Sequence, residues 1–516
     1  MADPTYDDKA ASHSDAGTLE DAHPAPAQAS AHAGQALKWT KEEERTIVRK
    51  IDWNLMPLLW GLFMLSFLDR SNIGNANTAG MSKDLNMNSG QYQWLLTRTS
   101  IFYIGYALAQ PTTLLWKAIP PHVFVAILTL CWGSFALLQA TARWEGLMAL
   151  RLFLGVAETA FAPGVTFYLT FFYRRREIGL RQGLYLGAAP IASCYAGVLA
   201  YGITHIRSAS IPNWKLLFLI EGAPAILLVP VVYFFLPDRA SKARFLTTRE
   251  KEIAIARAEL DGKTGREGGL KLKMVWAGLR DPKAWLHALV YFSANVSYSS
   301  LPVFLPTILT EMGFTSIRAQ GLSAPPYFAS FLVVVAVSFA SDRVGDRSAF
   351  LIPLSLVGAA GYMILALAQS TAARYFAIYL CACGIFPVIG LMLPFVANTH
   401  EDDSKRGAGF LLLNLVGQCG PFLGTRLYPA GQAPYYRKGM WICCAFMFFV
   451  TFLVVILRIL LIRENRRRDA LYGYVDPKAP DVGEHNSFRP SASTEEQEEQ
   501  PEGAAYEPSR DFRYML

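Results

Sequence analysis

The chain has 516 residues, of which 52% are hydrophobic and only 17% charged. Apolar runs of 18 or more residues recur along it, each long enough to cross about 30 Å of hydrocarbon as a helix, and soluble globular folds do not need such runs. The net charge of +7 lies mostly in short segments beside those runs, where it reads as membrane orientation, and it is no signal for nucleic acid.

Residues 1–45 are expected to be a disordered cytoplasmic N-tail, because their Ala, Asp, His, Ser and Pro include no apolar core of a signal peptide. Twelve spans follow, near 53–70, 94–116, 120–140, 147–171, 183–205, 214–236, 284–309, 322–340, 348–368, 375–396, 407–428 and 440–462. They divide into an N-terminal six-helix bundle over 46–236, a hydrophilic cytoplasmic bridge over 237–283 and a C-terminal six-helix bundle over 284–462. Such doubling suggests a transport pathway between two halves. The last segment, 463–516, is read as a cytoplasmic C-tail, acidic and proline-containing over much of its length. Excess Lys and Arg on one side, including Arg174-Arg175-Arg176, Lys405-Arg406 and Arg466-Arg467-Arg468, places both termini in the cytoplasm.

The first span closes on Asp69-Arg70. A charge at the bilayer centre costs roughly 2.5–3.5 kcal/mol on insertion scales, so a charge in such a run either pairs to hold helices together or faces a polar path. Tyr103 and Tyr106 follow in the second span, where Arg98 either lines an entry funnel or snorkels to the interface. In the fourth span Arg151 and Glu158 are seven residues apart, on one helix face but about 10.5 Å apart along the axis. That exceeds contact distance, so water, a polar residue from another helix or a substrate is expected between or beside them. Asn72, Asn75 and Asn295 are further polar groups that could shape a cavity. Thr247 or Thr248 can N-cap a helix in the bridge. After the eighth span, Asp342, Arg343, Gly345 and Arg347 form a short loop able to turn tightly and clamp helix ends by charge pairing, as a gating loop. Its counterpart in the first half, 117–122, keeps one lysine and little else. Asn414 in the eleventh span completes the candidate binding set. Prolines 163, 190, 224, 230, 302, 306, 325, 326, 387 and 394 lie inside spans, each able to kink a helix. All seven cysteines fall in apolar runs without histidine, the setting of small buried hydrophobes; no metal site and no cofactor is expected.

The charged set carries a coupling logic. Guanidinium offers a carboxylate two parallel hydrogen bonds, which suits Arg70 and Arg151 to bind an organic anion. An arriving anion neutralises part of the arginine field, so a nearby carboxylate, Glu158 or Asp69, takes a proton more readily. By linkage the proton then improves anion binding.

At these residues the chain resembles the major facilitator superfamily, and more closely its anion:cation symporter branch. FLDRSNIGNA, RLFLGVAETAFAPG, WKLLFLIEGAPAILL, LPDRASKARFLTTREKE, KRGAGFLLLNLVGQCGP, APYYRKGM and the ending DFRYML are similar to fungal allantoate, nicotinate and pantothenate permeases. The likeness covers about residues 45–475. It implies an all-α membrane protein with twelve transmembrane helices in two six-helix bundles, monomeric and in the plasma membrane. It also implies substrate recognition and proton coupling at Asp69, Arg70, Arg151 and Glu158. The leading reading is proton-coupled uptake of a small carboxylate; the second is a proton-driven exporter of a metabolite or drug. A non-transporting nutrient receptor has no need of the proton site. A multi-pass enzyme lacks paired histidines, a nucleophile elbow and metal-ligand spacing.

Overall fold

A computed structural model describes residues 37–86, 101–117, 119–174, 177–204, 211–260, 272–399, 403–473, 487–488 and 514–515. Arg98, Arg175, Arg176, residues 261–271 of the bridge and most of both expected tails lie outside the described residues. The regular secondary structure described is helical apart from a two-residue antiparallel pair, Leu37–Lys38 with Ser487–Phe488. Eleven helices among the described residues are long and apolar enough to cross a membrane, and they match eleven of the twelve expected spans. The second span is described only from Ile101, as the helix Ile101–Leu108 followed by a 3-10 segment, Gln110–Lys117. The chain is an all-α, multi-pass membrane protein of two six-helix bundles.

Two helix starts follow capping-box chemistry. The first helix, Lys41–Ser71, begins inside the expected N-tail. Thr40 Oγ1 accepts the Glu43 N–H at 3.2 Å, and the Glu43 carboxylate accepts the Thr40 N–H at 2.9 Å. The same box fixes the bridge helix, Thr248–Leu260: Thr247 is the cap, with Glu250 returning a 2.9 Å bond to its N–H. That helix lies against the first span through Lys50–Glu250 (2.6 Å), Arg249–Glu43 (3.0 Å) and Arg257–Glu44 (2.7 Å). At the far end of the chain, Tyr514 exchanges two 2.9 Å backbone bonds with the Asn465 side chain, on the twelfth span Arg437–Tyr472, which runs past residue 462.

Besides the second, four spans are interrupted among the described residues, and proline position explains three. The fourth runs as Trp144–Glu158 then Phe161–Leu169, the fifth as Ile178–Leu186 then Ala188–Thr204, and the eleventh as Asp403–Gly417 then Cys419–Gly424. Pro163, Pro190 and Pro421 each lie four residues beyond Thr159, Leu186 and Gly417, at or beside the breaks. A proline ring lacks an N–H and clashes with the carbonyl four residues earlier, which ends the ladder there. Pro224, Pro230, Pro302, Pro306, Pro325, Pro326, Pro387 and Pro394 sit within continuous helices. The first span breaks without proline, at Asn72, before a short continuation Ile73–Thr78.

The second and fourth spans approach to backbone contact. A Cβ at Gly155 would lie 2.0 Å from the Phe102 carbonyl oxygen, and one at Gly105 would lie 2.2 Å from that of Leu152. Only glycine permits this spacing, the small-residue contact that membrane helices use to pack. Thr159 Oγ1 then ties the pair by donating to the Tyr106 carbonyl at 2.7 Å.

The loop after the eighth span, Ser316–Val344, forms a clamp. Arg347 donates to Asp342 at 2.9 Å, Gly345 caps the helix in the left-handed region at φ 71°, and Arg343 turns outward over the Phe339 ring. The clamp reaches across the halves: a Cβ on Gly179 of the fifth span would meet both the Arg347 guanidinium and the Asp342 carboxylate at 2.5 Å.

The counterpart segment 117–122 has lost the motif but not an anchor. Asp238, just past the sixth span Asn213–Phe235, accepts from the His122 backbone N–H at 3.3 Å and lies 2.7 Å from its ring Nδ1. It thereby caps the third helix, Pro121–Leu138. Burial pushes the Asp238 carboxyl up, but the hydrogen bonds from His122 outweigh it and hold it below its ordinary value. A carboxylate with a depressed folded value adds stability that is present above its unfolded pKa and lost as pH falls through the folded one. Asp238→Asn is therefore expected to cost about 1–2 kcal/mol at neutral pH. Thermal unfolding of the purified protein measures it, and the gap from wild type should shrink in strong acid.

Candidate functional site

The break in the first span sets the site. Asp69 and Arg70 occupy the last turn before Asn72, so consecutive residues project from a helix end. The Arg70 side chain reaches Glu158, Nη2 to Oε2 at 3.1 Å, while Arg151 Nη1 donates to the backbone carbonyl of Asp69 at 3.0 Å. The two charges seven residues apart on the fourth span are thus bridged by two neighbouring residues of the first. The polar residue expected from another helix is found, and its contact with Arg151 is made by backbone.

Burial is nearly complete. Glu158 is 0% exposed, Asp69 2% and Arg151 4%. Such burial makes every unpaired polar atom costly, which tends to hold a charge set in one arrangement. Arg70 lies 5.0 Å from the ring centroids of both Phe102 and Tyr106, and Arg151 lies 5.7 Å from that of Phe218. Several donors and acceptors have no hydrogen-bond partner among the described residues: Arg70 Nε, Arg151 Nε and Nη2, Asp69 Oδ2 and Glu158 Oε1. They form an array of spare arginine N–H groups beside carboxylate oxygens.

The remaining candidates separate. Tyr106 joins the cluster through its ring against Arg70, whereas Tyr103 packs edge-on against Phe102 and, across the halves, against Phe422 of the eleventh span at 6.4 Å. Asn414 is buried in the eleventh span with its amide donating to Phe410 of its own helix at 2.9 Å. It is not drawn to the arginines by any bond seen here. Asp342, Arg343, Gly345 and Arg347 lie apart from this cluster, in the clamp. Asn75 lines a small cavity between the halves with Ser71, Ser193, Pro302, Ser323 and Tyr327. Beside it the first and eighth spans meet, with Gln320 donating to Thr78 Oγ1 at 2.8 Å and Ser316 to the Thr78 carbonyl at 2.9 Å.

One residue of the cluster was missed by sequence reasoning. Glu221 in the sixth span is 1% exposed and accepts from the Asn72 amide. Its signal was available: a lone carboxylate within WKLLFLIEGAPAILL, of the kind that marks Glu158.

The family model for the Major Facilitator Superfamily matches residues 59–425. The chain is 32% identical to an MFS-type transporter, efuF, of Hormonema carpetanum, over 83% of this chain and 87% of that protein. It is 31% identical to a high-affinity nicotinic acid transporter of Saccharomyces cerevisiae, over 83% of this chain and 80% of that one. Among solved structures, a proton:xylose symporter of the superfamily superposes with a TM-score of 0.63 at 14% identity, covering 79% of this chain and 95% of that one.

Proposed function

The chain belongs to the major facilitator superfamily, and from that premise we propose that it is a proton-coupled importer of a small organic anion. A carboxylate such as nicotinate, pantothenate or allantoate is the substrate class. The observation that carries this reading is the Arg70–Glu158 contact inside a buried cluster where Arg151 keeps donors to spare.

The mechanism is an exchange of partners. Without substrate, Glu158 is the anion that Arg70 holds. An incoming carboxylate competes for Arg70 and for the free Arg151 donors, and Glu158, displaced in a buried setting, takes a proton. Proton and anion therefore load together and leave together. Asp69, beside the same guanidinium groups, is the second coupling carboxylate. The rings of Phe102, Tyr103 and Tyr106 line this side and favour an aromatic or planar acid. A relative that is a nicotinic acid transporter supports the same class. In this reading the protein is a monomer in the plasma membrane with both termini in the cytoplasm. The Asp342–Arg347 clamp then gates the cytoplasmic side.

Uptake of a panel of labelled carboxylates, in cells lacking their own permeases, tests the reading. Accumulation is expected to be faster at about pH 5 than at about pH 7.5 and to collapse with a protonophore. Efflux driven by inward protons, without net uptake, would replace it with the exporter reading.

A further inference from the structure

The buried cluster holds three carboxylates, Asp69, Glu158 and Glu221, against two guanidinium groups, Arg70 and Arg151. Fully ionised it would carry one uncompensated negative charge inside the membrane. Arg70 contacts Glu158 and Arg151 is anchored on a carbonyl, so the excess falls on the two carboxylates with no cation in contact among the described residues, Asp69 and Glu221. Of the two, it is Glu221 that accepts a bond from the Asn72 amide. The charged groups facing it are Asp69 from the first span, which repels an anion there, and Arg151 from the fourth.

The unpartnered atoms indicate how the excess is removed. Glu221 Oε1 and Asn72 Oδ1 are both acceptors, both buried and both without a partner, on two side chains already joined through Oε2 and Nδ2. A hydrogen on Oε1 would donate to Oδ1 and close a second bond, giving the cyclic pair that a carboxylic acid makes with an amide. One proton satisfies both atoms and neutralises the cluster.

We propose that Glu221 is a proton-bearing residue of its own, neutral in this state, and that as an acid–amide pair with Asn72 it fixes the break of the first span. Asn72 is the joint between Lys41–Ser71 and Ile73–Thr78, two residues after Arg70, so Glu221 acts as a positioning residue for Arg70. Loss of the proton would set two acceptors against each other and release the joint. This goes beyond the transport reading and holds whichever way the substrate moves.

Infrared spectroscopy of the purified full-length protein at neutral pH tests it without any substrate. Wild type should show a protonated-carboxyl C=O band that shifts in deuterated buffer. That component should be lost in Glu221→Gln and kept in Glu158→Gln. In Asn72→Leu the component should persist but move to higher frequency, because the acid has lost its amide partner. A Glu221→Gln spectrum identical to wild type would overturn the proposal. If that variant does not fold, an unmoved band in Asn72→Leu would overturn it equally.

Discussion

Glu158→Gln is expected to abolish pH-driven accumulation while leaving exchange of labelled for unlabelled substrate largely intact. Glutamine keeps an oxygen that can accept from Arg70, so the 3.1 Å contact has a neutral replacement. What it cannot do is carry a charge in one half of the cycle and a proton in the other. Each pH unit across the membrane is worth about 1.4 kcal/mol per coupled proton, so two units drive about a hundredfold accumulation in wild type. In the variant the ratio should fall to about one. Removing the partner of a buried charge also costs about 3–5 kcal/mol, so protein level and thermal stability are measured beside transport. The faces of Phe102 and Tyr106 soften that cost by sheltering Arg70. Unchanged proton-driven uptake would remove Glu158 from the coupling path.

Arg70→Lys and Arg151→Lys are both expected to lose uptake although each keeps a positive charge. Arg70 holds Glu158 through Nη2 while its Nε has no partner, and Arg151 keeps Nε and Nη2 unpartnered. Those spare N–H groups are the fork that a substrate carboxylate would occupy, and lysine offers a point donor in their place. A lost charge-assisted hydrogen bond of about 1.5–3 kcal/mol corresponds to roughly a 10- to 150-fold fall in uptake efficiency. A helix-holding ion pair would tolerate lysine far better, because Coulomb attraction survives the exchange. Ligand-induced thermal shift with nicotinate, pantothenate and allantoate, run beside transport, separates the two cases. Unchanged affinity of both lysine variants for the acid that wild type binds would mean that these arginines are scaffold.

The spans and their order were legible because a membrane demands long apolar runs, and such runs need no partner to be recognised. The cluster was legible by the same logic, since charges in those runs stand out by their cost. Contacts were not. That Arg70 reaches Glu158 depends on how two helices rotate and approach, and the Gly155 and Gly105 backbone contacts that set such approaches carry no charge signal. Among the prolines, Pro163 and Pro190 break their helices while Pro224 and Pro302 do not, and composition alone does not rank them. Asn414 had the right residue type at a plausible depth, but its amide is turned to its own helix. The segment 117–122 read as eroded because its anchor, Asp238, comes from the other end of the bundle.

Arg151 is held by a peptide carbonyl, and this changes what selection and mutagenesis can see. The carbonyl of Asp69 lies in the last turn of a helix that stops at Ser71, where carbonyls run out of amide partners. Any residue at position 69 supplies the same oxygen. A change of side chain there leaves the Arg151 anchor in place, so alanine at position 69 tests the carboxylate and not the oxygen that Arg151 holds. What has to be inherited is the interruption of the helix. The heritable trait is a stop in the backbone, written in Asn72 and its neighbours, and only an amide-to-ester exchange in the backbone would test that oxygen directly.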